Sequence, residues 1–112
     1  MNKAAYFLAA LALALPLSAA AETWKNVVVV DTMCSVKVKA APDAHPTKCA
    51  LACAKSGFGI LTADGSFLKL DEAGNQKAVA VLKSTSKTDH LRATVTGERD
   101  GGTIKVQSLN LD

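Results

Sequence analysis

Aromatic side chains are scarce in this 112-residue chain: one Trp, one Tyr and three Phe. Two of them, Tyr6 and Phe7, lie in an N-terminal leader, so Trp24, Phe58 and Phe67 are all that a folded domain retains. Strong charge is missing as well. Thirteen basic residues face ten acidic ones, and loss of Lys3 with the leader leaves twelve against ten. A single-stranded nucleic-acid surface needs stacking platforms in a basic groove, and neither is available here. Charge this balanced does not point to an anionic membrane surface either, and no membrane partner is expected. The catalytic signatures HExxH, the glycine-rich phosphate loop and Gly-x-Ser-x-Gly are absent. The carboxylates do not cluster either: Asp71-Glu72 and Glu98/Asp100 fall in turns, where acidic residues are ordinary. Catalysis is therefore not expected.

Long apolar runs are confined to the N-terminus. Lys3 supplies a positive start, Ala4 to Leu15 is unbroken and apolar, Pro16 ends it, and Ala19-Ala20-Ala21 precedes Glu22. That pattern is a secretory signal peptide over residues 1–21, with cleavage before Glu22. The run falls short of the roughly 20 residues needed to span a bilayer. No stop-transfer segment follows, and no cysteine follows the cleavage site, so neither a membrane span nor a lipid anchor is expected after processing. The short, Ala-rich leader suggests bacterial export to a periplasmic or secreted location. Residues 22–112 then form one small domain, whose modest core a disulfide or metal would usefully supplement.

Cysteine supplies that supplement. The order is Cys34, ten residues, His45, three residues, Cys49, three residues, Cys53. Three cysteines are an odd number for an exported domain, where thiols usually pair. Pro46 suits the first position of a helix over Thr47–Ser56, with His45 as its cap and Gly57 in the left-handed position beyond its end. Cys49 and Cys53 then share one face a turn apart, and His45 lies close to the same stripe. Ala50, Ala52 and Ala54 allow that helix to approach a sheet closely.

The scaffold reads as short strands. Val27 to Val30 suits a strand covered on both faces. If it continues unbroken, Val28, Val30, Cys34, Val36 and Val38 face the core while Lys37 and Lys39 face water. A turn begun by Asp31-Thr32 is the alternative. Ala40 to Pro46 is a loop. Phe58 to Leu70 reads as a hairpin with a type I′ turn at Asp64-Gly65. Asn75 is placed to cap a helix over residues 76–83, with Ala78, Val79 and Leu82 as its apolar stripe. Leu91, Ala93 and Val95 alternate with polar residues, Asp100-Gly101-Gly102 turns, and Thr103–Leu111 completes the set. The parity of that last strand shifts between Val106 and Leu109, which predicts a bulge. The expected fold class is mainly β with two short helices, a small OB-like Greek-key barrel.

Two resemblances attach to these residues. Asp31-x-x-Cys34, His45, Cys49-x3-Cys53, Gly59-Ile60-Leu61, Gly65 and Val95-x-Gly97 together resemble a set of small exported bacterial OB-like proteins. That likeness covers nearly all of residues 22–112 and implies the barrel without implying an activity. The CxxxC of Cys49 and Cys53 with His45 also looks like the copper-ligand set of Sco-type chaperones. Those have a thioredoxin-like fold and a far-downstream histidine, so the likeness is one of chemistry alone.

Three thiolates and an imidazole suit tetrahedral zinc or, with fewer ligands used, Cu(I), and Met33 offers a thioether. The expectation is a non-enzymatic copper or zinc protein that stores, delivers or protects, using Cys34, His45, Cys49 and Cys53. A metal-receiving protein would be its partner. The competing expectation is a disulfide from Cys34 to Cys49 or Cys53, leaving one spare thiol in a stapled interaction module. A Cys49–Cys53 bond fits a regular helix poorly. His90 has no such neighbours and is expected at the surface.

Overall fold

A computed structural model describes residues 20–112. The leader expected over residues 1–21 lies outside the described residues apart from its last two positions. Strand β1 spans Glu22–Asp31, β2 Phe58–Leu61, β3 Phe67–Leu70, β4 Arg92–Asp100 and β5 Thr103–Leu111. They close into a barrel in the order β1-β2-β3-β5-β4, with β4 returning to β1. All neighbours are antiparallel except β3 and β5, which run parallel. This is the OB-like barrel expected of the sequence, mainly β with a helix between the third and fourth strands. No described helix is long and apolar enough to cross a membrane.

The valine run explains how the barrel is covered. Val27 and Val29 enter the main core with Phe58, Ile60, Leu91, Val95 and Ile104. Val28 and Val30 point the other way, into a second cluster with Val38 and Leu61, against which Cys34 and Phe67 pack. Alternation sends successive side chains to opposite faces, so a strand buried throughout needs a cover on its outer side. Full burial of each valine contributes roughly 1.5–3 kcal/mol.

That cover is the chain after β1, and it is not a strand. Strand β1 ends at Asp31; a 3-10 turn over Thr32–Cys34 leads into a one-turn helix α1, Ser35–Val38. The unbroken strand is thus replaced by the turn that Asp31-Thr32 permitted. Helical phase now decides exposure: Val38 folds onto the outer cluster, whereas Val36 is 79% exposed and Met33 74% exposed. Asn26, at φ 54, lies where the β1–β4 register slips between Trp24 and Val27. Its left-handed backbone bends β1 around the barrel, a conformation Asn tolerates.

Helix α2 is Thr47–Ala52, shorter than the ten-residue helix the spacing suggested, and a 3-10 turn over Ala54–Ser56 follows. Cys53 separates them with φ −103 and ψ 20. Pro46 is the cap, with Thr47 the first helical residue. Ala50 is fully buried in the main core, so α2 closes one end of the barrel through its small side chains. Its first turn is held from outside: Thr47 N donates to Thr88 O (2.9 Å) and Thr47 Oγ1 to Lys87 O (2.7 Å).

Helix α3, Glu72–Ser84, starts earlier than expected because Asp71 caps it by accepting from Gly74 N (2.9 Å). Asn75 has another duty, accepting from Phe58 N at 2.8 Å. The β2–β3 connection is a longer loop in place of a two-residue type I′ turn. Thr62 N bonds to Ser66 O, and among its residues only Gly65 has positive φ. The bulge in β5 falls where the parity shift put it: Thr96 faces Ser108 but Gly97 faces Val106, leaving Gln107 as the extra residue.

Gly74 is the tightest helix–barrel approach, since a Cβ there would stand 2.5 Å from Val106 Cγ2 and 2.8 Å from Leu70 Cβ. A Gly→Ala change within a helix ordinarily gains up to about 1 kcal/mol, and Gly74 stands in the first turn of α3. Here overpacking, typically about 1–3 kcal/mol, outweighs that gain. Gly74→Ala is expected to lower the urea midpoint, while Gly102→Ala, with nothing within 4 Å, leaves it within error. Equal midpoints for the two variants would contradict the close approach.

Candidate functional site

The site forms where β1 ends. Asp31 is fully buried, and its carboxylate satisfies two donors: Oδ2 accepts from Cys34 N (3.0 Å) and Oδ1 from His45 Nε2–H (2.8 Å). The first bond is a helix cap, an acidic oxygen taking an orphan N–H three residues on. The second is charge-assisted, with the carboxylate fixing which imidazole nitrogen carries the proton. The His45 side chain is only 8% exposed, so the whole dyad sits inside the protein.

A second set of bonds brings Cys53 to the same place. Thr32 N and Thr32 Oγ1 both donate to Gly57 O, at 2.9 and 3.1 Å. Met33 N donates to Ser56 Oγ (3.3 Å), whose hydroxyl donates to Cys53 O (2.7 Å). The turn carrying Cys34 is therefore stitched to the turn carrying Cys53. Gly57, at φ 77 and ψ 172, then redirects the chain into β2. That region of backbone space belongs to glycine.

The outcome is a compact donor group. One atom each from Asp31, Cys34 and Cys53 lies within 4.8 Å of the others, and it is the sole cluster of three such donors among the described residues. Both cysteines are half-buried, and all three cysteines carry free thiols. Of the four residues the spacing singled out, the fold unites Cys34 and Cys53 directly. His45 joins them through Asp31. Cys49 is exposed and stands apart from that group. It lines a neighbouring pocket of about 300 Å³ together with Cys34, His45, Lys37 and Pro46. Helix α2 ends between Cys49 and its cap residue Cys53, whose N–H still donates to Cys49 O at 3.3 Å, and only Cys53 belongs to the donor group.

Asp31 is the residue that spacing alone undervalued. Its signal was the Asp-x-x-Cys interval, which places a carboxylate oxygen on the N–H three residues later. His90 is at the surface, its side chain 67% exposed and paired with Asp89 at 2.6 Å. The loop that carries His45 is anchored separately. Arg92 grips Asp43 with two bonds, Nε to Oδ1 at 2.8 Å and the second guanidinium nitrogen to Oδ2 at 3.0 Å. That guanidinium holds the Asp43 carboxyl below its ordinary range, so the clamp survives moderate acidification.

Burial first, then the hydrogen bond to Asp31 and its negative charge, push the Cys34 thiol above its ordinary value, and Cys53 adds in the same direction. A raised thiol is protonated at neutral pH and is a poor nucleophile there, since the thiolate reacts. A cation between the sulfurs would reverse that balance by favouring thiolate. Comparison with family models, with curated proteins and with solved structures finds no match to this chain. Function therefore rests on the geometry and on the chemistry of these donors.

Asp31→Asn keeps the side-chain size but removes the negative charge that, after burial, helps to raise the Cys34 thiol. In folded protein, alkylation of Cys34 near pH 8, followed by peptide mapping, is expected to be slow in the parent and faster in this variant. An unchanged rate in a variant of native circular dichroism would show that Asp31 does not control the thiol.

Proposed function

We propose that this protein binds a soft transition-metal ion, copper as Cu(I) or zinc, between Cys34 and Cys53, and that it stores, delivers or protects that ion without catalysing a reaction. The supporting observation is the Asp31–Cys34–Cys53 group within 4.8 Å. An ion about 2.3 Å from each sulfur bridges sulfurs up to about 4.6 Å apart, so small side-chain rotations suffice. Sulfur donors suit Cu(I), and a mixed sulfur and carboxylate set suits zinc. Asp31 has a lone pair beyond each hydrogen bond it accepts, so it serves either as a ligand or as the charge beside the ion. His45 then orients Asp31, and Cys49 lies outside the inner ligand set.

The leader over residues 1–21 makes this an exported protein of the periplasm or exterior, consistent with the small exported OB-like set it resembles. Delivery implies a metal-receiving protein partner. Because both thiols must lose protons on binding, affinity for the ion rises with pH.

A second reading is supported by the same proximity. Two half-buried sulfurs on stitched segments are poised to close a Cys34–Cys53 disulfide, which would staple the cover onto the barrel and leave Cys49 as the spare thiol. Protein purified under reducing, oxygen-free conditions is expected to take up Cu(I) or Zn(II) stoichiometrically. Cys34→Ser or Cys53→Ser should weaken uptake at least about tenfold, as ligand loss does. Absence of uptake, with one titratable thiol per denatured unreduced chain in place of all three, would replace the metal reading with the staple.

A further inference from the structure

The pocket beside the inner donor group contains a feature that the two-thiol site does not use. Cys34 belongs to both places: it meets Cys53 and Asp31 on one side and lines the 300 Å³ pocket with His45 and Cys49 on the other. Cys49 is the exposed member. His45 is more than nine-tenths buried, its Nε2 is engaged by Asp31, and the described residues supply no hydrogen bond to Nδ1. The ring is mostly buried but Nδ1 is left open to solvent, so an accessible imidazole nitrogen belongs to a residue lining a pocket that also holds two thiols. Lys37 is the only charged residue lining it. Imidazole and thiolate are ligands for the same soft and borderline cations.

We propose that this pocket is the entry station for the metal ion, with Cys49 the capture ligand and Cys34 the pivot that passes the ion inward to Cys53. The inference rests on the inner site proposed above. Cys49, His45 and Cys34 do not lie in common reach of one ion, so they act in sequence and not as one cage. The thiol of Cys49 and then that of Cys34 each displace one thiolate of a bis-thiolate donor complex, their protons leaving on the two released donor thiols, so that the ion is handed to Cys34 with His45 Nδ1 beside it. In the inward step the metal–Cys53 sulfur bond forms as the metal–Cys49 sulfur bond breaks. The Cys53 proton passes to the Cys49 sulfur, directly or through water, and the oxidation state of the metal is unchanged. All four residues of the sequence pattern then have work, though never at the same moment.

The test uses Cu(I) carried by glutathione, without oxygen, on the folded domain and its Cys49→Ser variant. Equilibrium affinity is read by competition with a chromophoric Cu(I) chelator, and loading by the rise of ultraviolet thiolate-to-copper absorbance. The variant is expected to keep its stoichiometry and hold affinity within about threefold, a shift of under 1 kcal/mol. Loading should slow by about tenfold or more, corresponding to a barrier raised by about 1.4 kcal/mol. In loaded parent protein, alkylation should label Cys49 while sparing Cys34 and Cys53. A parental loading rate in Cys49→Ser overturns the entry station. So does an affinity loss matching that of Cys34→Ser, or protection of Cys49 in the loaded protein, because either makes Cys49 a permanent ligand. Failure of the parent to bind Cu(I) at all strikes the inner site itself and is recognisable as such before any variant is compared.

Discussion

A single buried carboxylate organises the functional end of this barrel. Asp31 is wholly removed from water, and an isolated charge there would be very costly. It persists because the fold surrounds it with donors: the Cys34 amide and the His45 ring. Each donor comes with a segment of backbone attached. Satisfying Asp31 therefore ends β1, starts the turn that covers its outer face, and draws in the loop that precedes α2. Removing a partner from such a charge commonly costs about 3–5 kcal/mol. Stability and the site are thus consequences of one electrostatic requirement.

The second constraint is steric. Helix α2 seals the barrel through Ala50, fully buried, with Leu51 and Ala54 packed alongside. Small side chains bring the helix close, and Cys53, the cap residue after α2, leads into the 3-10 turn over Ala54–Ser56 that runs on to Gly57 and β2. The Thr32–Gly57 and Met33–Ser56 bonds then hold the two turns in register. Cys49, one turn earlier, is left facing the pocket. Two cysteines separated by three residues end up in different environments because the helix stops between them.

Such a division fits the proposed carrier of soft ions better than a cage would. A closed four-ligand centre holds its metal as structure, whereas graded sites permit exchange. The raised Cys34 thiol is quiet toward electrophiles at neutral pH, and in the proposed site a cation would offset the nearby carboxylate and favour the thiolate. Exposed Met33 and Val36 lie on the same excursion as Cys34.

Much of the barrel was legible in the residues themselves. The valine run, the Leu91–Ala93–Val95 alternation, the Gly101-Gly102 turn and the parity slip before Leu109 are local patterns, and local patterns survive into the fold. Helix boundaries were less legible, since Asp71 and Asn75 are both competent caps and only the position of Phe58 decides which one is free to serve. The turn after Val30 was ambiguous for a similar reason: alternating residues fit a strand until a buried Asp31 needs the Cys34 amide.

For the site, the sequence by itself determined which donor types exist, Cys34, His45, Cys49 and Cys53, and that a carboxylate stands three residues before the first. Only the tertiary structure decided which of them meet. Cys34 and Cys53 are brought together by hydrogen bonds between residues 23 and 25 positions apart in the chain. His45 spends one nitrogen on Asp31, and Cys49 stays at the surface. Residue spacing specifies neighbours within a helix or strand, but contact between turns depends on backbone donors and acceptors finding partners once the barrel has closed.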